Sequence, residues 1–406
     1  MSTALAPLGR DLKVMGLVGT AHAASHFFHL VLPPLFPLLR TEFDLSYAAL
    51  GLLTALFYGA SGIAQTIAGF LVDRFGARRI LLGGLILLSV SVTGYGFATE
   101  FWMLLVLSVL AGLGNSVFHP ADLSILTSKV SPSRLGRAYG AHALCGYLGW
   151  AVAPGFVVAV ASLADWRVAV IAAGLAGLAV VVLLVVWGGE DLAEAPAPPP
   201  VRRGTAGILR DVRLLLSPTI LSCFAYFTFL SAALVGVQTF GLTAMQVIYS
   251  VTLQHATIAL TAFLVGGAAG IFVGGFAADR TERHDVIAMS GVMLSAVVLV
   301  AIGAEMTGGG LLVPAIAMAG FLSGTTSPSR DMLVRKATPG GATGRVFGFV
   351  YSGLDLGSSL MPLLLGWLLD GGDPRIVFHG CAVAMVITML TVFEVRRRGV
   401  IAAGRA

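Results

Sequence analysis

Charge is what this chain has least of. Asp, Glu, Lys and Arg make up 11% of its 406 residues, against 57% hydrophobic residues and a mean hydropathy of +0.91. A water-soluble globule is excluded by that balance, and so is a disordered acidic or basic tail as its main part. Cysteine is nearly absent: Cys145, Cys223 and Cys381 fall in separate apolar stretches with no paired metal-ligand spacing, so no disulfide framework and no cysteine array is expected. There is no Walker loop to cradle a nucleotide and no nucleophile elbow, so neither ATP hydrolysis nor an enzyme of that kind is expected, and no cofactor is called for. The loops are too short to hold a soluble catalytic domain.

What is present is apolar length. Runs that can cross about 30 Å of hydrocarbon, roughly 20 residues each, are read at 12–38, 46–72, 78–98, 101–125, 136–162, 166–187, 217–240, 250–278, 285–305, 310–334, 344–369 and 374–395. Nothing alternates like a barrel strand, and backbone in lipid must satisfy its own hydrogen bonds, so the expected class is all-α with twelve transmembrane helices. The first run is too long for a cleaved signal peptide and is expected to stay as the first helix. Gly188–Arg213, with Pro196, Pro198, Pro199, Pro200, Arg202 and Arg203, reads as an extended cytoplasmic linker. The expected organisation is therefore a six-helix bundle over 1–188, a Pro-rich linker over 189–213 and a second six-helix bundle over 214–406.

The two halves echo each other. Pro120, Gly136, Arg137, Gly140, Gly149 and Pro154 recur as Pro328, Gly344, Arg345, Gly348, Gly357 and Pro362 at one offset of 208, and Gly69 with Asp73-Arg74 recurs as Gly275 with Asp279-Arg280 at 206. A duplicated unit in parallel orientation is the signature of many transporters. With the first span leaving the cytoplasm, twenty-two Lys and Arg lie on inner segments and three, Arg40, Arg167 and Arg375, on outer ones. That bias places both termini in the cytoplasm and the chain in the cell membrane. It also accounts for the net charge of +5 without any nucleic acid.

The segment Gly69-Phe70-Leu71-Val72-Asp73-Arg74-Phe75-Gly76-Ala77-Arg78-Arg79 resembles the loop signature of the major facilitator superfamily. Gly69 suits a close helix approach, Gly76 a tight turn, and Asp73 among Arg74, Arg78 and Arg79 offers ion pairs that form in one state and break in another. The resemblance implies a conformational latch, with Asp279 and Arg280 as a second copy that lacks the turn glycine. The alternative is a topology anchor made of positive charge alone. Gly140, Gly149 and Ala153-Pro154 are similar to the superfamily's antiporter motif, which has Gly at the place of Ala153 and a glycine pair at the place of Val157-Val158. Within the superfamily, Leu32 to Ser46 and Gly114 to Pro120 resemble the fosmidomycin-resistance exporters over about the first 155 residues. These resemblances imply two pseudo-symmetric bundles, alternating access and proton-coupled export of a small compound or drug, with an anion as one option.

Candidate site residues follow from polarity inside the spans. His22, His26 and His29 are spaced i, i+4, i+7 and point within about 60° of one another on a helix. Counting along antiparallel spans brings His22, His119, Asp122 and His142 to the cytoplasmic third of the first half. Such a group can hold or pass protons, which makes protons the expected coupling ion. It can equally hydrogen-bond to neighbouring backbone and hydroxyls, or bind a first-row metal ion. His29, near Pro33-Pro34, fits the hydrogen-bonding alternative best. Asp122 maps onto Arg330 through the 208 offset, so the two are candidates for a pair when the cytoplasmic side closes; the alternatives for Arg330 are lipid phosphate or its neighbour Asp331. Asp355, between Gly353 and Gly357 at membrane depth, is a candidate proton carrier or a hydrogen-bond acceptor for Tyr351 or Ser352. Tyr226, Gln238 and Thr239 are neutral candidates for a substrate path, with Gln254 and His255 near the outer end of the eighth span. Competing readings are uptake of a small organic anion with Arg330 as its ligand, transport of a metal ion or chelate through the histidines, and a membrane sensor that kept a transporter fold. The partners expected in every reading are a small molecule and the lipid bilayer.

Overall fold

A computed structural model describes residues 8–192, 212–339 and 343–403, and every regular element among them is helical. The first half holds α1 (Leu8–His29), α2 (Phe36–Phe43), α3 (Tyr47–Phe75), α4 (Ala77–Tyr95), α5 (Phe101–Asn115), α6 (Phe118–Lys129), α7 (Leu135–Leu163) and α8 (Trp166–Gly188). The second holds α9 (Pro218–Tyr249), α10 (Leu253–Asp279), α11 (His284–Gly303), α12 (Gly308–Ala337), α13 (Thr343–Leu369) and α14 (Ile376–Ala403). By length and apolarity, 11 spans among the described residues can cross a membrane, α5 and α6 counting together as one. With 57% hydrophobic residues around them, this is an integral membrane protein.

The first run is where the expected boundaries fail. Instead of one helix over 12–38, α1 ends at His29, a 3-10 turn follows at Pro33–Leu35, and α2 starts at Phe36. Pro33 and Pro34 lack the N–H that would continue the helical ladder, and a residue ahead of a proline is pushed out of helical dihedrals. The three histidines, Arg10, Asp11 and Lys13 also lower the apolarity of α1, which is not among the 11 spans. The fourth run is broken too: the Ser116 N–H is shared between the Gly112 and Leu113 carbonyls, and Pro120 cannot donate back to Ser116, so α5 ends at Asn115 and α6 begins at Phe118. α9 extends to Tyr249, nine residues beyond the expected 240. Of the expected linker, Gly189–Asp191 form a 3-10 turn after α8, while the proline run and Arg202-Arg203 lie outside the described residues.

The chain divides into two compact units near Pro199-Pro200, with Ser46–Gly51 grouped with the second. In the first, glycines let α7 lie against α1: a Cβ on Gly149 would sit 2.1 Å from the Ala23 carbonyl oxygen. In the second, α10 and α12 approach reciprocally. A Cβ on Gly266, Gly270 or Gly274 would fall 2.1–2.3 Å from the carbonyls of Ala317, Phe321 and Thr325, and one on Gly320 or Gly324 would strike Phe263 or Gly267. In lipid, where burial of apolar surface between helices gains little, such close backbone approach is what packs them.

Candidate functional site

In the first unit α1 carries His22, His26 and His29 on one face, α6 carries His119 and Asp122, and α7 carries His142. Asp122 is fully buried, and its Oδ2 accepts hydrogen bonds from His22 Nδ1 at 3.1 Å and His142 Nε2 at 3.0 Å. With the carboxylate ionised, both rings donate from those nitrogens. The His22 and His142 rings stack with centroids 3.5 Å apart, and His26 lies 4.4 Å from His22. His119 is 5.3 Å from His22, and unlike the other three it is exposed. Room for the stack comes from Gly146: a Cβ there would lie 2.8 Å from His26 Nδ1 and 3.1 Å from His22 Cδ2. Asp122 Oδ1 and His26 Nδ1 are buried and take part in no hydrogen bond. The donor atoms of His22, Asp122 and His142 all lie within 4.8 Å of one another, a spacing that suits a shared proton or a metal ion.

His29 belongs to a different network. Trp150 Nε1, which can only donate, gives a hydrogen bond to His29 Nδ1 at 3.1 Å, so the ring proton sits on Nε2 and is donated to Asn115 Oδ1 at 3.1 Å. Asn115 Oδ1 also accepts from Ser25 at 2.7 Å, and Asn115 Nδ2 donates to Ser61 at 3.0 Å. His29 is thus tied down by side chains, which is the hydrogen-bonding alternative. Asn115, Ser25, Ser61 and Trp150 escaped the reading of the sequence as site residues. The available signal was a lone amide, Asn115, at the end of an apolar helix.

At one edge of the same unit, the buried Asp11 carboxylate accepts from Arg134 Nη1 at 2.7 Å and from the Ser131 N–H at 3.4 Å. Burial works to raise its pKa, but the hydrogen bonds from Arg134 and Ser131 outweigh that and hold the carboxyl below its ordinary value. Arg10 and Lys13 both reach Asp191, at 3.1 and 2.8 Å. On the opposite edge Glu42 accepts from Trp166 Nε1 and from Arg167 Nη2, and Arg167 also donates to the Ala98 carbonyl at 2.5 Å.

The second unit is organised otherwise. Arg330 Nε donates to Asp331 Oδ1 at 2.9 Å, and the guanidinium lies 4.4 Å over the Phe227 ring and 6.0 Å from Tyr351. A cavity of about 20 Å³, bordered by Tyr226, Phe227 and Arg330, lies beside it, with room for about one water. Asp122 and Arg330 therefore each hold partners within their own unit. Asp355 sits on α13 between two glycines that press on α9, where Cβ atoms on Gly353 and Gly357 would fall 2.7 and 2.0 Å from the Phe224 and Thr228 carbonyls. The Ser352 hydroxyl, expected near Asp355, donates to the Phe349 carbonyl instead, at 2.7 Å. Gln238, Thr239 and Tyr226 are buried in α9, and the His255 N–H is held by the Thr252 hydroxyl at the start of α10.

In the loop between α3 and α4, Gly76 has φ +86°, a conformation that glycine adopts without strain, and Arg78 reaches the Val185 carbonyl at 3.4 Å. The role expected for Gly69 is corrected: a Cβ there would meet nothing within 4 Å, and the same holds for its counterpart Gly275, so neither marks a close helix approach. Asp73, Arg74 and Arg79 surround this turn. Asp279 closes α10 and Arg280 caps it.

The family model of the Major Facilitator Superfamily matches residues 18–253 and 228–403. The chain belongs to the major facilitator superfamily. The fosmidomycin resistance protein of Escherichia coli is 26% identical over 392 residues, covering 94% of this chain and 92% of that protein. The membrane sensor protein UhpC of Salmonella typhimurium is 27% identical over 62% of this chain and 61% of its own length. Among solved structures, a bacterial homolog of the human lysosomal transporter Spinster, inward-facing and occupied, superposes with a TM-score of 0.80 at 17% identity, covering 96% of this chain and 98% of its own. At that identity the likeness speaks for the fold. Members of this superfamily are transporters and not enzymes, and they bind small molecules.

Proposed function

We propose that the protein is a secondary active transporter that exports a small compound or drug from the cell by alternating access, in exchange for protons. The observation that carries this reading is the buried Asp122 carboxylate bound by two imidazoles in a membrane helix bundle. A charged Asp inside the membrane is costly, about 2.5–3.5 kcal/mol at the centre of a helix on insertion scales, so a buried carboxylate ringed by imidazoles is a functional candidate by default. Asp122 with His22, His26, His119 and His142 would hold the proton. Asp355 is a second candidate carrier in the other unit, and Arg330 with Gln238 would meet the substrate. One proton crossing 100 mV gains about 2.3 kcal/mol, enough for about fiftyfold accumulation of a neutral solute. Likeness to a fosmidomycin resistance protein over nearly the whole chain supports export. The same reading has twelve crossings in two pseudo-symmetric bundles, with α1 as the twelfth, both termini in the cytoplasm of the cell membrane, and Gly69, Asp73, Arg74, Gly76, Arg78, Arg79, Asp279 and Arg280 as latch segments.

Proton movement in liposomes tests it. Addition of a transported compound to reconstituted protein is expected to move protons against the direction of the compound, and Asp122→Asn to lower that flux at least tenfold. Movement in the same direction would replace export by uptake of an organic anion, with Arg330 as its ligand. Absence of flux for every compound that binds would favour a sensor, the class to which the UhpC relative is named.

A further inference from the structure

We propose that His22 Nδ1, Asp122 and His142 Nε2 form a binding site for one divalent first-row transition ion of the zinc class. Three helices deliver the donors to one point, all within 4.8 Å of one another and all buried. The two nitrogen-to-oxygen separations, 3.1 and 3.0 Å, are close to the edge of a tetrahedron with metal–ligand bonds of about 2.0–2.1 Å, and the two nitrogens, within 4.8 Å of each other, close on an ion by rotation of the rings. Two imidazoles and a carboxylate are the donor set of zinc and its neighbours. Magnesium and calcium ask for six or more oxygens, and copper(I) for sulfur.

A second, independent observation points the same way. Asp122 Oδ1 and His26 Nδ1 are buried beside the cluster and take part in no hydrogen bond. Buried polar atoms rarely remain so, and a cation at this point would give both a partner. His26, with its ring centroid 4.4 Å from that of His22, can supply the fourth ligand or leave that place to water. Binding keeps Asp122 ionised and requires each ring to carry its proton on its other nitrogen, His22 Nε2 and His142 Nδ1, so no further ligand proton has to leave. Bound in this way, the ion clamps α1, α6 and α7 to one another and excludes a proton from the same oxygen. The site does not depend on the direction of transport or on the coupling ion.

Full-length protein, purified in detergent and stripped with a chelator, is titrated with Co²⁺ and with Zn²⁺. One ion per chain is expected, with the strong visible absorption of four-coordinate Co²⁺, and Asp122→Asn and His142→Ala should each weaken binding at least tenfold while His284→Ala changes nothing. Lack of binding, or binding that survives both substitutions, overturns the proposal. Should those variants fail to fold, X-ray absorption of Zn²⁺ bound to the unaltered protein decides the matter: a first shell of two or three imidazoles with a carboxylate oxygen is expected. A shell of water alone, or one containing sulfur, overturns it as well. Loss of proton flux in liposomes with intact Co²⁺ binding would remove the proposed function and leave this site standing.

Discussion

The two halves use the same scaffold positions for opposite chemistry. Gly149 packs on the Ala23 carbonyl in the first unit, and Gly357, 208 residues on, packs on the Thr228 carbonyl in the second, with Cβ clearances of 2.1 and 2.0 Å. Aligning the units on these contacts sets His22 against Phe227, His26 against Ser231, Asp122 against Arg330 and Trp150 against Ser358. In the first unit an imidazole donates to a carboxylate; in the second a phenyl ring lies under a guanidinium. Where His26 packs on Trp150 at 4.2 Å, Ser231 and Ser358 exchange a hydrogen bond of 2.6 Å. This one backbone contact is thus common to the two units, whereas the side chains around it differ in both charge and partner. One copy presents a titratable anion, the other a cation that stays charged at every pH a cell meets.

This comparison can be broken at three points. The largest effect is expected from Gly149→Ala and Gly357→Ala, since each new methyl would overlap a backbone carbonyl and neither helix can yield without shifting its neighbours. Each should cost about 1–3 kcal/mol, read as a fall in the thermal midpoint of the detergent-solubilised protein; a drop in only one of the two would mean that the copies do not share this contact. A smaller effect is expected from Arg330→Lys, which keeps the charge but loses the flat stack on Phe227. About 0.5–2 kcal/mol is at stake, and the loss should largely vanish when Phe227→Leu is already present. Additive losses would show that the ring contributes packing alone. The smallest effect is expected from Gly69→Ala and Gly275→Ala, where a methyl meets open space, and stability should change by no more than about 0.5 kcal/mol in either unit, leaving the thermal midpoint nearly unmoved. A larger shift would restore a packing role for these glycines.

Much of this was legible in the sequence, for physical reasons that differ by element. Apolar length is a direct consequence of bilayer thickness, so spans such as α7, read at 136–162 and found at Leu135–Leu163, need no knowledge of packing. Depth along antiparallel helices was enough to group His22, His119, Asp122 and His142. What counting could not give was rotation about each helix axis. It left open which imidazole nitrogen meets Asp122, and it gave no hint that Asn115 and Trp150 would take His29 out of that group. The break after α1 was visible as Pro33-Pro34 but was overridden by the apolar run around it. The motif around Gly69 suggests a packing role, but the clearance around a glycine is a property of its neighbours that no motif contains.

Of the three imidazoles on the face of α1, His29 alone has both nitrogens committed to side chains, one receiving from an indole and the other giving to an amide. An indole N–H offers no lone pair and cannot relay a proton onward, so a hop along the stripe has no exit on that side. His29 with Trp150 is in effect an insulating end-piece. A proton placed on the imidazoles beside it would find no path onward through Trp150.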